Sequence, residues 1–240
     1  MGNDTGFRRA AGVVALLMAA FVIGNGVTLV TALKDPAAAF SDPGLLLSAG
    51  ARAAGMFHAS MVFDVLAYLS FAPVVVFCWS QLKARREGPA ALFAFCGLSY
   101  SLLGAIGGVA VDAVMPQMMA RYAGAGAPEQ AVMRVAANTL NQAVAHGIWN
   151  PLEVLMVSVW FLGFAFFLWR QKRGLAILAL IIGALGLLDP IGWMFSSNAV
   201  LTVGAIGTAP MPVWLVWFGI DVLRTPRGAA WLPAQERATE

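Results

Sequence analysis

Seven ionisable side chains interrupt stretches of sequence otherwise suited to lipid. Asp64, Asp112, Glu153, Asp189 and Asp221 lie inside or at the edges of apolar runs, as do His58 and His146. A charge in hydrocarbon is expensive, so each such residue marks a functional site unless a partner or a helix end accounts for it. A carboxylic acid in apolar surroundings can donate its proton to an olefin, an epoxide or a carbonyl. The same group can instead carry a proton or a cation through a membrane. Aromatic faces can stabilise developing positive charge, and Trp149, Trp193, Trp214 and Trp217 fall in the same stretches.

The elements that must position these groups are membrane-spanning helices. The 240-residue chain is 60% hydrophobic and 11% charged, with mean hydropathy +0.78. A crossing helix needs about 20 apolar residues. Residues 10–33 carry no charge, 53–82 only His58 and Asp64, 88–120 only Asp112, and 135–169 only His146 and Glu153. Residues 174–223 carry only Asp189 and Asp221 and are long enough for two crossings. The expected fold is all-α, a polytopic transmembrane bundle with six spans near 11–33, 56–82, 89–113, 151–169, 174–195 and 200–223. It forms one domain over 1–224, followed by a short, disordered cytoplasmic tail over 225–240.

Basic residues alternate with the spans. Arg8, Arg9, Lys83, Arg85, Arg86, Arg170, Lys172, Arg173, Arg224, Arg227 and Arg237 fall on one side, against Lys34, Arg52, Arg121 and Arg134 on the other. The positive-inside rule therefore places both termini in the cytoplasm of an inner-membrane protein. The sequence pI of about 9.2 reflects this topology and gives no support for a nucleic-acid partner. The first apolar run is longer than a signal-peptide core and five more follow, so it reads as a retained helix. Cys78 and Cys96 read as buried packing thiols. No cofactor motif is present, and the helix-spaced histidine pairs of strong metal sites are absent.

The two outer segments are longer than the cytoplasmic loops. Asp35-Pro36 and Asp42-Pro43 read as turns. Beyond the Gly/Ala run at 123–127, residues 128–146 have an apolar face (Val132, Ala136, Leu140, Ala143, Val144) and a polar one (Arg134, Asn138, Asn141, Gln142). This is a separate amphipathic helix on the outer face. Gly104 and Gly108, and Gly97, Ser101 and Ala105, repeat at four and allow close helix contact.

Rise per residue from each basic boundary estimates depth. Asn25, Asp64, Glu153 and Asp189 come out roughly 24–28 Å in, one layer contributed by four helices. His58, Asp112 and His146 sit roughly 10 Å further out. His146, Asn150 and Glu153 share one face if their helix is continuous. Alternatively, Asn150-Pro151-Leu152-Glu153 starts a helix, with Asn150 as cap and Glu153 as its reciprocal third residue, and Asp189-Pro190 can be read alike. Asp112 reads as an interface charge, Asp221 as pairing with Arg224, and the two histidines as solvated. Asp64 lies deep with no proline nearby and must be partnered or protonated.

The basic first turn leading into Gly12, the run Asp64-Val65-Leu66-Ala67-Tyr68 with Pro73 and Trp79-Ser80-Gln81-Leu82, and the closing Pro212-Val213-Trp214 to Trp217-Phe218-Gly219 resemble a family of six-span bacterial membrane proteins known only as a domain of unknown function. The resemblance implies the six-span fold and no activity. Acid chemistry among aromatic side chains is similar to what membrane-bound terpene cyclases require, although those have one more span and share no motif with this chain.

Two functions follow. One is an intramembrane enzyme acting on a lipid-soluble, isoprenoid-like substrate, with Asp64 as the acid and Glu153 and Asp189 supporting it. Asn25, His58, His146, Trp149, Asn150, Trp193, Trp214 and Trp217 would contact substrate around one outward-opening cavity. The other is a proton- or cation-coupled small-molecule transporter or ligand-binding membrane protein, in which Asn150-Pro151 and Asp189-Pro190 mark broken helices at a binding site. The expected partners are membrane lipid and a lipid-soluble or small-molecule ligand. For the enzyme, Asp64→Asn should abolish product formation while the protein still inserts and folds; unchanged turnover in that variant contradicts the assignment.

Overall fold

A computed structural model describes residues 5–226 and 229–232, and is helical with no strand among them. In chain order the helices are α1 (Thr5–Ala32), α2 (Pro36–Ser41), α3 (Pro43–Ser48), α4 (Gly50–Leu82), α5 (Glu87–Tyr122) and α6 (Ala127–Ala143), then a π-helical segment (Val144–Glu153). They continue as α7 (Val154–Leu168), α8 (Arg173–Gly186), α9 (Leu188–Met194), α10 (Asn198–Gly207) and α11 (Met211–Arg224). Five helical runs are long and apolar enough to cross a membrane: 5–32, 50–82, 87–122, 127–168 and 173–194.

Three boundaries differ from expectation. The amphipathic stretch forms a helix, but it does not stop before the fourth span: backbone from Ala127 to Leu168 is helical throughout, with the π segment at the join. The fifth apolar run is divided at Leu187 into α8 and α9. The sixth is divided at 208–210 into α10 and α11, each too short to cross alone, because Pro210 interrupts it. Asp35-Pro36 and Asp42-Pro43 start helices rather than simple turns. Asp35 accepts from Ala38 N at 3.0 Å and Asp42 from Gly44 N at 2.8 Å, each with proline at the first helical position.

The last two apolar runs form an antiparallel hairpin. A Cβ placed on Gly192 would lie 2.6 Å from Leu201 N, one on Gly204 would run into the backbone of Asp189, and one on Gly207 would lie 2.7 Å from Gly186 N. Further along, Trp214 Nε1 donates to Leu175 O at 3.1 Å and Lys172 pairs with Asp221 at 2.9 Å. Elsewhere α4 packs between α1 and α5, and α1 against α11.

One end of the bundle is tied together by charged and aromatic groups. Arg8 is buried, and its guanidinium donates to the carbonyls of Ala229 (2.6 Å), Thr225 (3.0 Å) and Pro226 (3.0 Å). Arg85 donates to Gln171 at 2.5 Å. Asp221 pairs with Lys172 and accepts from Trp231 Nε1 at 2.6 Å, rather than pairing with Arg224 as expected from their spacing. The start of α1, the 83–86 loop, the 170–172 turn and the end of α11 therefore meet at one end.

The tail expected to be disordered is in part a core element. Trp231 is 2% exposed and packs on Phe77, Phe164 and Phe218. The rest of that expectation, residues 227–228 and 233–240, lies outside the described residues. Removing a fully buried Trp typically costs about 3–5 kcal/mol. Trp231→Ala should lower resistance to unfolding by about that much and open the C-terminal segment to added protease. A variant as stable and as protected as wild type would contradict this packing.

Candidate functional site: a buried carboxylate layer

The apolar core is split in two. One cluster runs through Ala11–Ala19, Ala67–Leu82, Ala90–Tyr100 and Val157–Leu168; the other through Leu46, Leu47, Phe57, Met61, Val111–Met119 and Val144. Between them every long helix contributes polar or small groups: Asn25 and Thr28 on α1, Asp64 on α4, Gly104, Gly107 and Gly108 on α5, and Glu153 at the end of the π segment. Asn25, Asp64 and Glu153 belong to the layer expected from rise per residue.

Glu153 is the centre of this layer. It is 5% exposed, and Tyr68 O–H donates to its Oε1 at 2.9 Å. It interacts electrostatically with both Asp64 and Asp189. Tyr68 and Tyr100 both lie within the field of Asp64 and Glu153, and their rings meet edge to face at 5.1 Å. Ser101 Oγ donates to Tyr68 O at 2.5 Å, which ties this turn of α4 to α5. Tyr100 O–H reaches Met211 Sδ at 3.8 Å.

Glycines on α5 set the spacing. A Cβ on Gly104 would strike the Tyr68 ring, and one on Gly107 would strike the indole of Trp149. One on Gly108 would lie 2.8 Å from Val65 Cγ2 and 3.7 Å from Asp64 Oδ2. Three glycines at helical spacing thus seat the tyrosine, the tryptophan and the aspartate, as small-residue stripes do between membrane helices.

Neither Asx-Pro dipeptide of the membrane region caps a helix. Asn150 and Pro151 lie inside the π segment, and Glu153 makes no capping hydrogen bond, its side chain being committed to Tyr68. Asp189 lies in the first turn of α9, whose N-cap position is Leu187, again with no side-chain cap. Its Oδ1 is buried without a hydrogen-bond partner. Ser158 Oγ and Trp149 Nε1 are likewise buried and unpartnered. Arg8 Nε and Trp79 Nε1, toward the basic end, are buried without a partner as well, and each such atom costs free energy unless a ligand or water completes its bonding.

The remaining candidates are distributed as follows. Asn25 donates to Ser60 O at 3.0 Å, joining α1 to α4 one turn from Asp64. His58 is not merely solvated, nor is Asp112 a lone interface charge: His58 Nδ1 lies 2.7 Å from Asp112 Oδ1, with His58 the more exposed partner. His146 and Asn150 are partly buried on the π segment. Trp214 is fully buried in an aromatic stack with Trp160, Phe161, Phe164 and Phe218, which makes it core rather than cavity wall. Trp193 and Trp217 are about half exposed, at 47% and 46%.

Four cavities of about 600, 500, 430 and 340 Å³ lie elsewhere, and none is lined by Asp64, Glu153 or Asp189. Among the described residues no three His, Cys, Asp or Glu side chains are grouped as metal ligands. Sequence reasoning missed Tyr68 and Tyr100 as members of the layer. A tyrosine at i+4 from Asp64 on the same helix face was the signal that could have found the first.

The chain matches no protein-family model, no curated protein and no solved structure.

Tyr68→Phe removes one hydrogen bond to a buried carboxylate and should cost about 1–3 kcal/mol of stability. Because Glu153→Gln disturbs the same bond, the double variant should lose less than the sum of the two single losses. Strict additivity in an unfolding titration would mean that the two groups are not coupled.

Proposed function

We propose that the carboxylate layer is a proton-exchanging site in a proton-coupled small-molecule transporter of the bacterial inner membrane. The observation that carries this is Asp189: a buried residue whose Oδ1 has no hydrogen-bond partner, two residues past the interruption at Leu187 and electrostatically linked to Glu153. Discontinuous helices in a membrane line binding sites, because their freed polar groups need a cavity or a ligand. Three neighbouring carboxylates carrying full charge would oppose burial by more than a bundle's marginal stability, so the layer is built to hold protons. The His58–Asp112 pair, at the α4–α5 contact nearer the outer end, is the entry point. Asp64 follows, then Glu153 with Tyr68, then Asp189. Asn25, His146, Trp149 and Asn150 are the groups placed to meet the carried ligand.

This reading takes the chain as six crossings, the last formed by α10 and α11 together. The antiparallel hairpin supports it, as does the meeting of the start of α1 and the end of α11 with the 83–86 and 170–172 turns. Basic residues concentrate at that end, which we assign to the cytoplasm. The amphipathic α6 then lies at the outer face.

A second reading rests on Asp64, which is only partly buried. An acid that a lipid-soluble molecule can reach could protonate an isoprenoid-like substrate, with Glu153 and Asp189 orienting it, as in a terpene-cyclase-like enzyme.

Liposomes containing the protein and a trapped pH indicator separate the two. Under an imposed gradient wild type should move protons, and Glu153→Gln and Asp189→Asn should each reduce the flux to that of empty vesicles while remaining folded. Equal flux in wild type and both variants would contradict the transport reading.

A further inference from the structure

We infer that the cavity at the basic end between α7, α8 and the 83–86 loop is a binding site for a phosphate-bearing anionic phospholipid. It has a volume of about 600 Å³. Its rim carries Arg85, Arg86 and Arg170, its wall includes Leu162, Phe166 and Leu180, and among the described residues no acidic side chain lines it. Two features fix the rim in place. Arg85 is held by its hydrogen bond to Gln171 at 2.5 Å, and the Arg86 guanidinium lies over the Phe166 ring, 5.8 Å from its centre.

The wall matches an acyl chain. Phe166 is 62% exposed and Leu180 40% exposed, on two adjacent helices of a bundle whose outer surface faces lipid. Leu162 stands eight residues before Arg170 in the sequence, so the apolar strip extends roughly 12 Å from the charged rim. A headgroup phosphate would accept from the guanidinium groups, which suit phosphate oxygens, while one chain lies along the strip. Basic pockets between helices on the cytoplasmic side have this lipid-recognising chemistry. The phosphate could equally come from solution, but a free anion makes no use of the strip. The site is separate from the carboxylate layer, and the inference does not depend on what that layer does.

The test is native mass spectrometry of the full chain in detergent, delipidated and then offered equal amounts of phosphatidylglycerol and phosphatidylcholine. Wild type should retain one phosphatidylglycerol per chain in preference to phosphatidylcholine. In R86Q/R170Q, which leaves the Arg85–Gln171 bond intact, retention should fall by about thirtyfold for two lost charges. R86K/R170K, which keeps both charges, should retain most of the preference, and it decides the matter if the neutral variant fails to fold. Inorganic phosphate should neither displace the lipid nor raise the unfolding temperature as phosphatidylglycerol does. Equal retention of the two lipids by wild type, or undiminished preference in a folded R86Q/R170Q, would overturn the site. A thermal shift with inorganic phosphate equal to that with phosphatidylglycerol would overturn the lipid assignment in favour of an anion from solution.

Discussion

Glu153 can occupy the middle of an apolar bundle only because Tyr68 meets it there. The hydrogen bond between them joins α4 to the end of the π segment at the level where the two hydrophobic clusters part. Around it the helices have little else to hold them: apolar association is weak in lipid, and packing depends on small residues and polar contacts. The layer supplies both. Ser101 and Asn25 add hydrogen bonds to α4 from its two neighbours, and the α5 glycines let Tyr68, Asp64 and Trp149 approach closely. The same groups therefore hold the helices together at this level.

The hairpin from Arg173 to Arg224 completes the layer. Its close approach depends on Gly204, where any side chain would meet the Asp189 backbone, and on the interruptions at Leu187 and Pro210. A straight pair of helices would satisfy its own backbone and leave Asp189 without reason to face inward. Its far end is locked by Lys172, Asp221, Trp231 and Arg8, so the hairpin is rigid at one end and broken at the other.

The shared level of Asn25, Asp64 and Glu153 between the two apolar clusters was readable in the sequence because helices rise uniformly. Partnership was not. Asx-Pro is one signal with two outcomes: Asp35 and Asp42 cap short helices, whereas Asn150 and Asp189 sit within helical runs that continue past them. The difference lies in the preceding residues. Before Pro36 and Pro43 the backbone is extended, but the chain enters Pro151 and Pro190 already helical, and the π segment absorbs the first. Asp221 was misjudged for a related reason: its partner Lys172 lies 49 residues away, and nearest-turn reasoning cannot see it.

The central claim is that Asp64, Glu153 and Asp189 form one proton-holding group inside the membrane, and a hydrophobic carbodiimide tests it most directly. Such reagents partition into lipid and modify carboxyl groups that carry a proton, and peptide mass spectrometry then locates the adduct. The account predicts modification of at least one of these three residues, with Asp112 and Asp221, whose carboxylates His58 and Lys172 engage, left unmodified. Reaction confined to Asp112 and Asp221, with the three layer carboxylates untouched, would contradict it.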